Sequence, residues 1–237
     1  MTWVAGVDGC KAGWLVVLRH LASGNTDCQV KGTFAELLKL QQSPTIIAID
    51  IPIGLLEAAE RGGRSCDRHA RSLLVKRRSS VFSPPVRSAL QYDDYPEALR
   101  VSRRSSSPGI GISKQCFGLF EKLREVDAIL SKQVHLQSKI REVHPELCFM
   151  AIAGRPMAYP KRAEEGYVER RKVLLEFRDF ITELEQDRPR NVAKDDVLDA
   201  CAACWTAVRI QSKPSRAICI PENPQVDSKG LRMEMWF

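Results

Sequence analysis

Asp8, Asp50, Glu146, Asp196 and Asp199 are the side chains whose type and placement in this sequence could do chemistry. Asp8 ends a Val- and Trp-containing run that reads as a first strand, and Asp50 ends the uninterrupted apolar run Thr45-Ile46-Ile47-Ala48-Ile49. Glu146 follows a strand-like stretch from Lys139 to Val143, and Asp195, Asp196 and Asp199 open a helical pattern. In open α/β sheets ligands gather beyond the carboxyl ends of the strands, so Asp8 and Asp50 would lie side by side if their strands are neighbours. Asp196 and Asp199, at i and i+3, share a helix face. Carboxylates drawn together repel, and a hard divalent ion with oxygen ligands, Mg²⁺ or Mn²⁺, supplies the compensation. Two such ions about 3.5–4 Å apart can activate a water and stabilise the leaving oxygen in phosphodiester cleavage. Each acid also has a local explanation: Asp8 before Gly9 suits a turn, Asp50 before Ile51-Pro52 suits a capped loop, and Asp195 and Asp196 suit the positive end of a helix. Asp199 is harder to explain locally, because the small-residue run Ala200-Cys201-Ala202-Ala203-Cys204 follows it.

The elements that must position these acids are legible in the hydrophobic pattern. Trp3 to Val7 and Trp14 to Leu18 read as a hairpin around Asp8-Gly9-Cys10-Lys11-Ala12-Gly13, and a weaker third run spans Cys28 to Phe34. Thr33 caps a helical stretch from Phe34 to Leu40. The apolar run that ends at Asp50 has the composition of a central parallel strand covered on both faces. After Gly54 come about eighty basic, Ser-rich residues of helix and loop that such a core does not require, with the non-helical Ser79-Ser80-Val81-Phe82-Ser83-Pro84-Pro85 and a break at Ser105-Ser106-Ser107-Pro108-Gly109. Apolar periodicity predicts helices near Leu119 to Leu130, over Glu164 to Leu184 and over Asp195 to Ile210, with a closing strand at Ala217 to Ile220.

Composition excludes several classes. The chain has 237 residues, of which 44% are hydrophobic and 27% charged, values that leave no room for a collagen-like or wholly disordered chain. No apolar run reaches the ~18 residues that a bilayer needs. An acid at position 8 interrupts any signal-like core, so the expectation is a cytoplasmic protein whose eight cysteines are reduced. Cys201 and Cys204 have the CxxC spacing of zinc or redox sites, but with no second pair they read as a buried helix face. Between Arg61 and Arg104 stand eleven basic residues and four acids, a surplus equal to the whole net charge of +7. Such a concentration suits either a polyanionic partner or a solvated basic face.

Six separated motifs carry a resemblance to a known family: Gly6-Val7-Asp8-Gly9-Cys10-Lys11-Ala12-Gly13-Trp14, Ile49-Asp50-Ile51-Pro52-Ile53-Gly54, Cys66-Asp67-Arg68 with Ala70-Arg71, Val81-Phe82 with Pro84-Pro85, Glu142-Val143-His144-Pro145-Glu146, and Asp195-Asp196-Val197-Leu198-Asp199-Ala200. Together they resemble domain-of-unknown-function family 429, whose members are regarded as nucleases with a ribonuclease H-like fold. The resemblance implies an α/β protein: one domain over residues 1–237, with a mixed five-stranded sheet in the order 3-2-1-4-5, helices on both faces, and a basic, mainly helical insertion over residues 55–135. The last motif is similar to the helix of Holliday junction resolvases of that fold, where acids complete a metal site. By position, Asp8, Asp50, Asp196 and Asp199 would ligate one or two Mg²⁺ or Mn²⁺ ions, and Glu146 would join them in catalysis. His144 would orient a water or phosphate, or simply cap a strand end. Arg64, Arg68 and Arg71, at i, i+4 and i+7, would form a one-sided basic face on phosphates, and Lys11, Lys161 and Arg170 also match the family pattern.

The leading expectation is therefore a metal-dependent nuclease with a nucleic-acid partner. A nucleic-acid-binding protein without catalysis is one alternative. An ATP-binding phosphotransferase of the same superfold is another, although Asp8-Gly9-Cys10 is not followed by a hydroxyl-bearing phosphate loop and no GxxxxGK[ST] occurs.

Overall fold

The computed structural model describes residues 2–237 and has nine α-helices and seven strands. The strands are β1 (Trp3–Cys10), β2 (Gly13–His20), β3 (Thr26–Lys31), β4 (Ile46–Ile49), β5 (Ile140–Glu142), β6 (Cys219–Val226) and β7 (Arg232–Trp236). The helices are α1 (Phe34–Leu37), α2 (Ser65–Leu74), α3 (Tyr95–Arg104), α4 (Lys114–Phe117), α5 (Phe120–Leu130), α6 (Pro145–Ala153), α7 (Glu164–Val173), α8 (Arg178–Gln186) and α9 (Lys194–Ser212). The first five strands form one mixed sheet in the order β3-β2-β1-β4-β5, as the resemblance implied. The β1–β2 and β2–β3 pairs are antiparallel, and β4 and β5 lie parallel to β1.

Residue parity builds this sheet into a three-layer core, because successive side chains on a strand point to opposite faces. Ala5, Val7, Ile47 and Ile49 bury one face under Phe34, Ala98, Phe120, Leu123 and Val126. Val4, Ile46 and Ala48 bury the other under Phe149, Phe177, Val197, Ala200 and Cys204. The basic insertion therefore differs from the sequence expectation: its α3 and α5 supply the apolar cover of one face, without which Val7, Ile47 and Ile49 would meet water. Glu125 of α5 fixes that layer by accepting from the Trp14 indole (3.0 Å) and the Phe34 N–H (2.7 Å).

Two further expectations are corrected. The long helix over Glu164–Leu184 is broken after Val173, and the break lets Leu174, Phe177 and Ile181 all face the α9 layer. Arg171 reaches across the break to Glu185 at 3.0 Å. The closing strand does not join the main sheet: β6 pairs with β7, which the apolar pattern did not reveal, and the hairpin packs Ile220, Met233 and Met235 against Cys66, Ala70 and Leu74 of α2. All eight cysteines are free, and Cys201 and Cys204 are buried on α9. No helix among the described residues is long and apolar enough to cross a membrane.

Candidate active site

Asp8 lies within β1 and does not end it, because the hairpin ladder continues through Gly9↔Trp14 and Cys10↔Gly13. The parallel neighbour ends sooner. Val7 pairs with Ile49, the last residue of β4, and the Asp50 N–H donates to the Val7 carbonyl at 2.9 Å. Asp50 is therefore the lateral neighbour of Asp8, and both occupy the even-numbered face that α9 covers.

Helix α9 reaches that face through a glycine. A Cβ on Gly6 would stand 2.0 Å from the Cys204 nitrogen and 2.2 Å from the Ala200 carbonyl oxygen, so only glycine lets the helix backbone lie directly on the strand. Two residues further along the same face of β1 is Asp8, and one residue before Ala200 is Asp199. Carboxylates from β1, from the residue after β4 and from α9 thus come within electrostatic reach of one another at the carboxyl edge of the parallel strands, with Asp196 at their margin. Their mutual influence is expressed in their protonation. Burial, then Asp50 and Asp199, hold the Asp8 carboxyl well above its ordinary pKa. Burial and Asp199 push Asp50 up to about 8, and burial pushes Asp199 to about 6. Asp196 is raised by burial and by Asp195.

Few protein groups balance these acids. Asp8 accepts a hydrogen bond from the Gly9 N–H at 2.9 Å, and the Asp50 carboxylate has no protein donor among the described residues. Lys161, in the loop before α7, donates to Asp199 at 2.7 Å and stands 3.3 Å from Asp195. Among the described residues no three His, Cys, Asp or Glu side chains stand close enough together to hold a metal ion. The donor chemistry nevertheless fits a hard divalent ion, because the ligand set is all oxygen and negatively charged. An orphan atom adjoins it: Glu146 is buried, and its Oε2 has no hydrogen-bond partner.

The other expected residues are placed differently. Arg64 does not face solvent. It is the residue before α2 and 1% exposed, and it donates to Glu142 (2.6 and 2.8 Å), to Asp67 (2.8 and 3.2 Å) and to the carbonyls of Ile53 (2.8 Å) and Gly54 (3.2 Å). Arg68 pairs with Glu60 and the Gly63 carbonyl, and Arg71 with Val81, Gly62 and Ser83. Of the expected phosphate-binding face, Arg64 and Arg71 are thus engaged by the protein's own acceptors, whereas Arg68 is exposed and its ion pair with Glu60 lies at the surface. Arg170 is likewise buried, donating to Glu146 and to the carbonyls of Tyr159 and Gly166. The imidazole of His144 caps α6, accepting from the Glu146 N–H through Nδ1 (3.3 Å) while Nε2 faces the Ser80 carbonyl (3.3 Å). Burial depresses its pKa to about 4, so the neutral ring donates from Nε2 and both nitrogens are engaged. Lys11 is exposed at the β1–β2 turn.

Sequence reasoning missed the Arg64–Glu142–Asp67 cluster, which pins the loop after Asp50. Glu142 also accepts the Ile53 N–H at 2.6 Å. The motifs Ile49-Asp50-Ile51-Pro52-Ile53, Cys66-Asp67-Arg68 and Glu142-Val143-His144 each contain part of it, but nothing along the chain joins them.

The fold and site together define an α/β protein with a mixed five-stranded sheet in the order 3-2-1-4-5 and acidic side chains gathered at its parallel edge. The chain belongs to the family described as "Protein of unknown function (DUF429)", whose profile matches residues 6–226. No curated protein and no solved structure matches it.

Proposed function

We propose that this protein is a metal-dependent phosphodiester hydrolase acting on nucleic acid, with Asp8, Asp50, Asp199 and Asp196 holding one or two Mg²⁺ or Mn²⁺ ions. The observation that carries the reading is the gathering of acids from β1, from the residue after β4 and from α9 on one edge, with a single lysine to balance them. A bound divalent ion would supply charge neutralisation and activate water for attack on phosphorus. The chain's own part is to hold Asp8 on β1, Asp50 on the loop pinned directly after β4 and Asp199 on a helix seated against Gly6, and to keep Asp8 and Asp199 largely shielded from water.

The nucleic-acid contact moves from α2 to the segment that follows it. Lys76 and Arg78 are exposed, neither they nor Arg77 makes an ion pair among the described residues, and the buried Arg77 Nε lacks a partner. Their 3-10 turn, Val75–Ser80, ends at the Ser80 carbonyl that faces His144, and Val81 and Phe82 then line a small cleft with Asp50. Three cations on a turn whose last carbonyl faces His144 suit backbone phosphates.

The test is incubation with Mg²⁺ or Mn²⁺ and labelled single-stranded, duplex, hybrid and branched substrates, repeated with Asp8→Asn and Asp199→Asn. Metal-dependent cleavage abolished by either substitution is expected, and cleavage that persists in both overturns the assignment. The Lys161–Asp199 ion pair favours one second reading, a nucleic-acid-binding protein without catalysis. Salt-sensitive binding with no turnover under any metal would establish it.

A further inference from the structure

Lys161 is held in place by a dedicated scaffold. Its loop runs from Gly154 to Ala163, between α6 and α7, and three groups of α7 grip it from below. Glu169 accepts the N–H groups of Ala158 (2.9 Å) and Tyr159 (3.2 Å) and pairs with Arg155 at 3.0 Å. Arg170, 1% exposed, donates to the Tyr159 carbonyl at 3.1 Å. Gly166 lies so close to the loop that a Cβ there would stand 1.9 Å from the Pro160 oxygen, one residue before Lys161. The buried partner of Arg170 is Glu146, which therefore ties this loop to the start of α6 behind the acidic edge. Above this scaffold the Lys161 ammonium stands 2.7 Å from Asp199 and 3.3 Å from Asp195.

We propose that Lys161 is the site's built-in counter-cation and competes with a divalent ion for Asp199, and that Glu146 and Arg170 are positioning residues for its loop rather than contacts to substrate. The inference rests on the metal reading above and adds to it an internal competitor. The ammonium takes up the Oδ2 side of the Asp199 carboxylate and repels a second cation there, so a divalent ion on Asp199 favours the ammonium turned outward. Lys161 is free to do so, because its side chain is 42% exposed and its anchorage is through the loop backbone.

The test is calorimetric titration of Mn²⁺ into wild-type, Lys161→Met and Lys161→Arg proteins, with thermal melting of each in EDTA. Lys161→Met is expected to bind Mn²⁺ about tenfold tighter, the equivalent of removing one competing ionic contact. It should melt lower than wild type in EDTA and gain more from Mn²⁺. Lys161→Arg, which keeps the charge, should bind Mn²⁺ much as wild type does. If wild type binds Mn²⁺ and Lys161→Met binds it no tighter, the competition is refuted while the metal site stands. If no variant binds Mn²⁺, the metal reading falls and the competition falls with it.

Discussion

Replacing Arg64 by Met tests whether the loop that carries Asp50 is locked from beneath. The guanidinium is 1% exposed and makes six hydrogen bonds to Glu142, Asp67, Ile53 and Gly54, and Glu142 is itself 3% exposed. Removing one partner of a buried ion pair leaves an uncompensated charge and costs about 3–5 kcal/mol. The Ile53 N–H on Glu142 (2.6 Å) and the Arg64 backbone N–H on Asp67 (2.8 Å) survive the substitution, which keeps the loss within that range. For a chain of this length each kcal/mol lowers Tm by about 2–4 °C, so a fall of roughly 6–20 °C is expected. Glu142→Gln should cost less, about 1–2 kcal/mol, because Arg64 keeps Asp67 and both carbonyls. The pH dependence has a definite sign. Burial has already pushed Glu142 up to about 7 despite Arg64, and losing the cation raises it further. A carboxyl raised in the folded state contributes stability at low pH and loses it as pH climbs through the folded value, so the Arg64→Met deficit should be larger at pH 8 than at pH 6. Urea denaturation at the two pH values measures it, and Mn²⁺ titration reports the loosened Asp50 loop as weaker binding. A loss below about 1 kcal/mol at both pH values, with Mn²⁺ affinity intact, would refute the claim that this cluster fixes the site.

Three other outcomes follow from the same geometry. Asp50 (about 8) and Asp199 (about 6) are raised in the folded state and lose stability with rising pH, while His144 (about 4) is depressed and loses it with falling pH below about 6.5. In EDTA the melting temperature should therefore fall between pH 6.5 and 8. A rising or level profile by differential scanning fluorimetry contradicts the carboxylate cluster. Gly6→Ala should cost more than about 3 kcal/mol, because its Cβ meets helix backbone at 2.0 Å with no flexible atom to yield. Unchanged chemical denaturation would show that α9 does not sit on β1. The triple change Lys76→Gln, Arg77→Gln, Arg78→Gln should lower the salt slope of nucleic-acid binding by about 2–3, while Arg71→Gln leaves it unaltered. Fluorescence anisotropy across salt concentrations decides it, and the reverse pattern would return the contact to α2.

The sequence by itself determined β1, β2 and β4, because the short continuous apolar runs Trp3 to Val7, Trp14 to Leu18 and Ile46 to Ile49, bounded by turn residues, admit little else. It also marked Asp8, Asp50 and Asp199, since an acid directly after such a run, or at the head of a small-residue helix, is conspicuous along one dimension. The break at Val173 was hidden because Val168, Val173, Leu174, Phe177 and Ile181 keep helical spacing through it. β7 was hidden because Arg232-Met233-Glu234-Met235-Trp236 mixes charged with apolar residues and takes its ladder from β6, with a single bridge from Trp236 to Val143 beyond it. Charge was the least legible property of all. Arg61 to Arg104 is a basic run on paper, yet Arg64 and Arg87 are partnered by Glu142, Asp67, Asp127 and Asp227, acids that mostly lie far away in the chain. A side chain's charge is written in the sequence, but whether that charge is free depends on which distant groups folding brings within hydrogen-bond reach. Tertiary structure alone made Arg64 and Arg170 structural residues and left Lys161 beside Asp199.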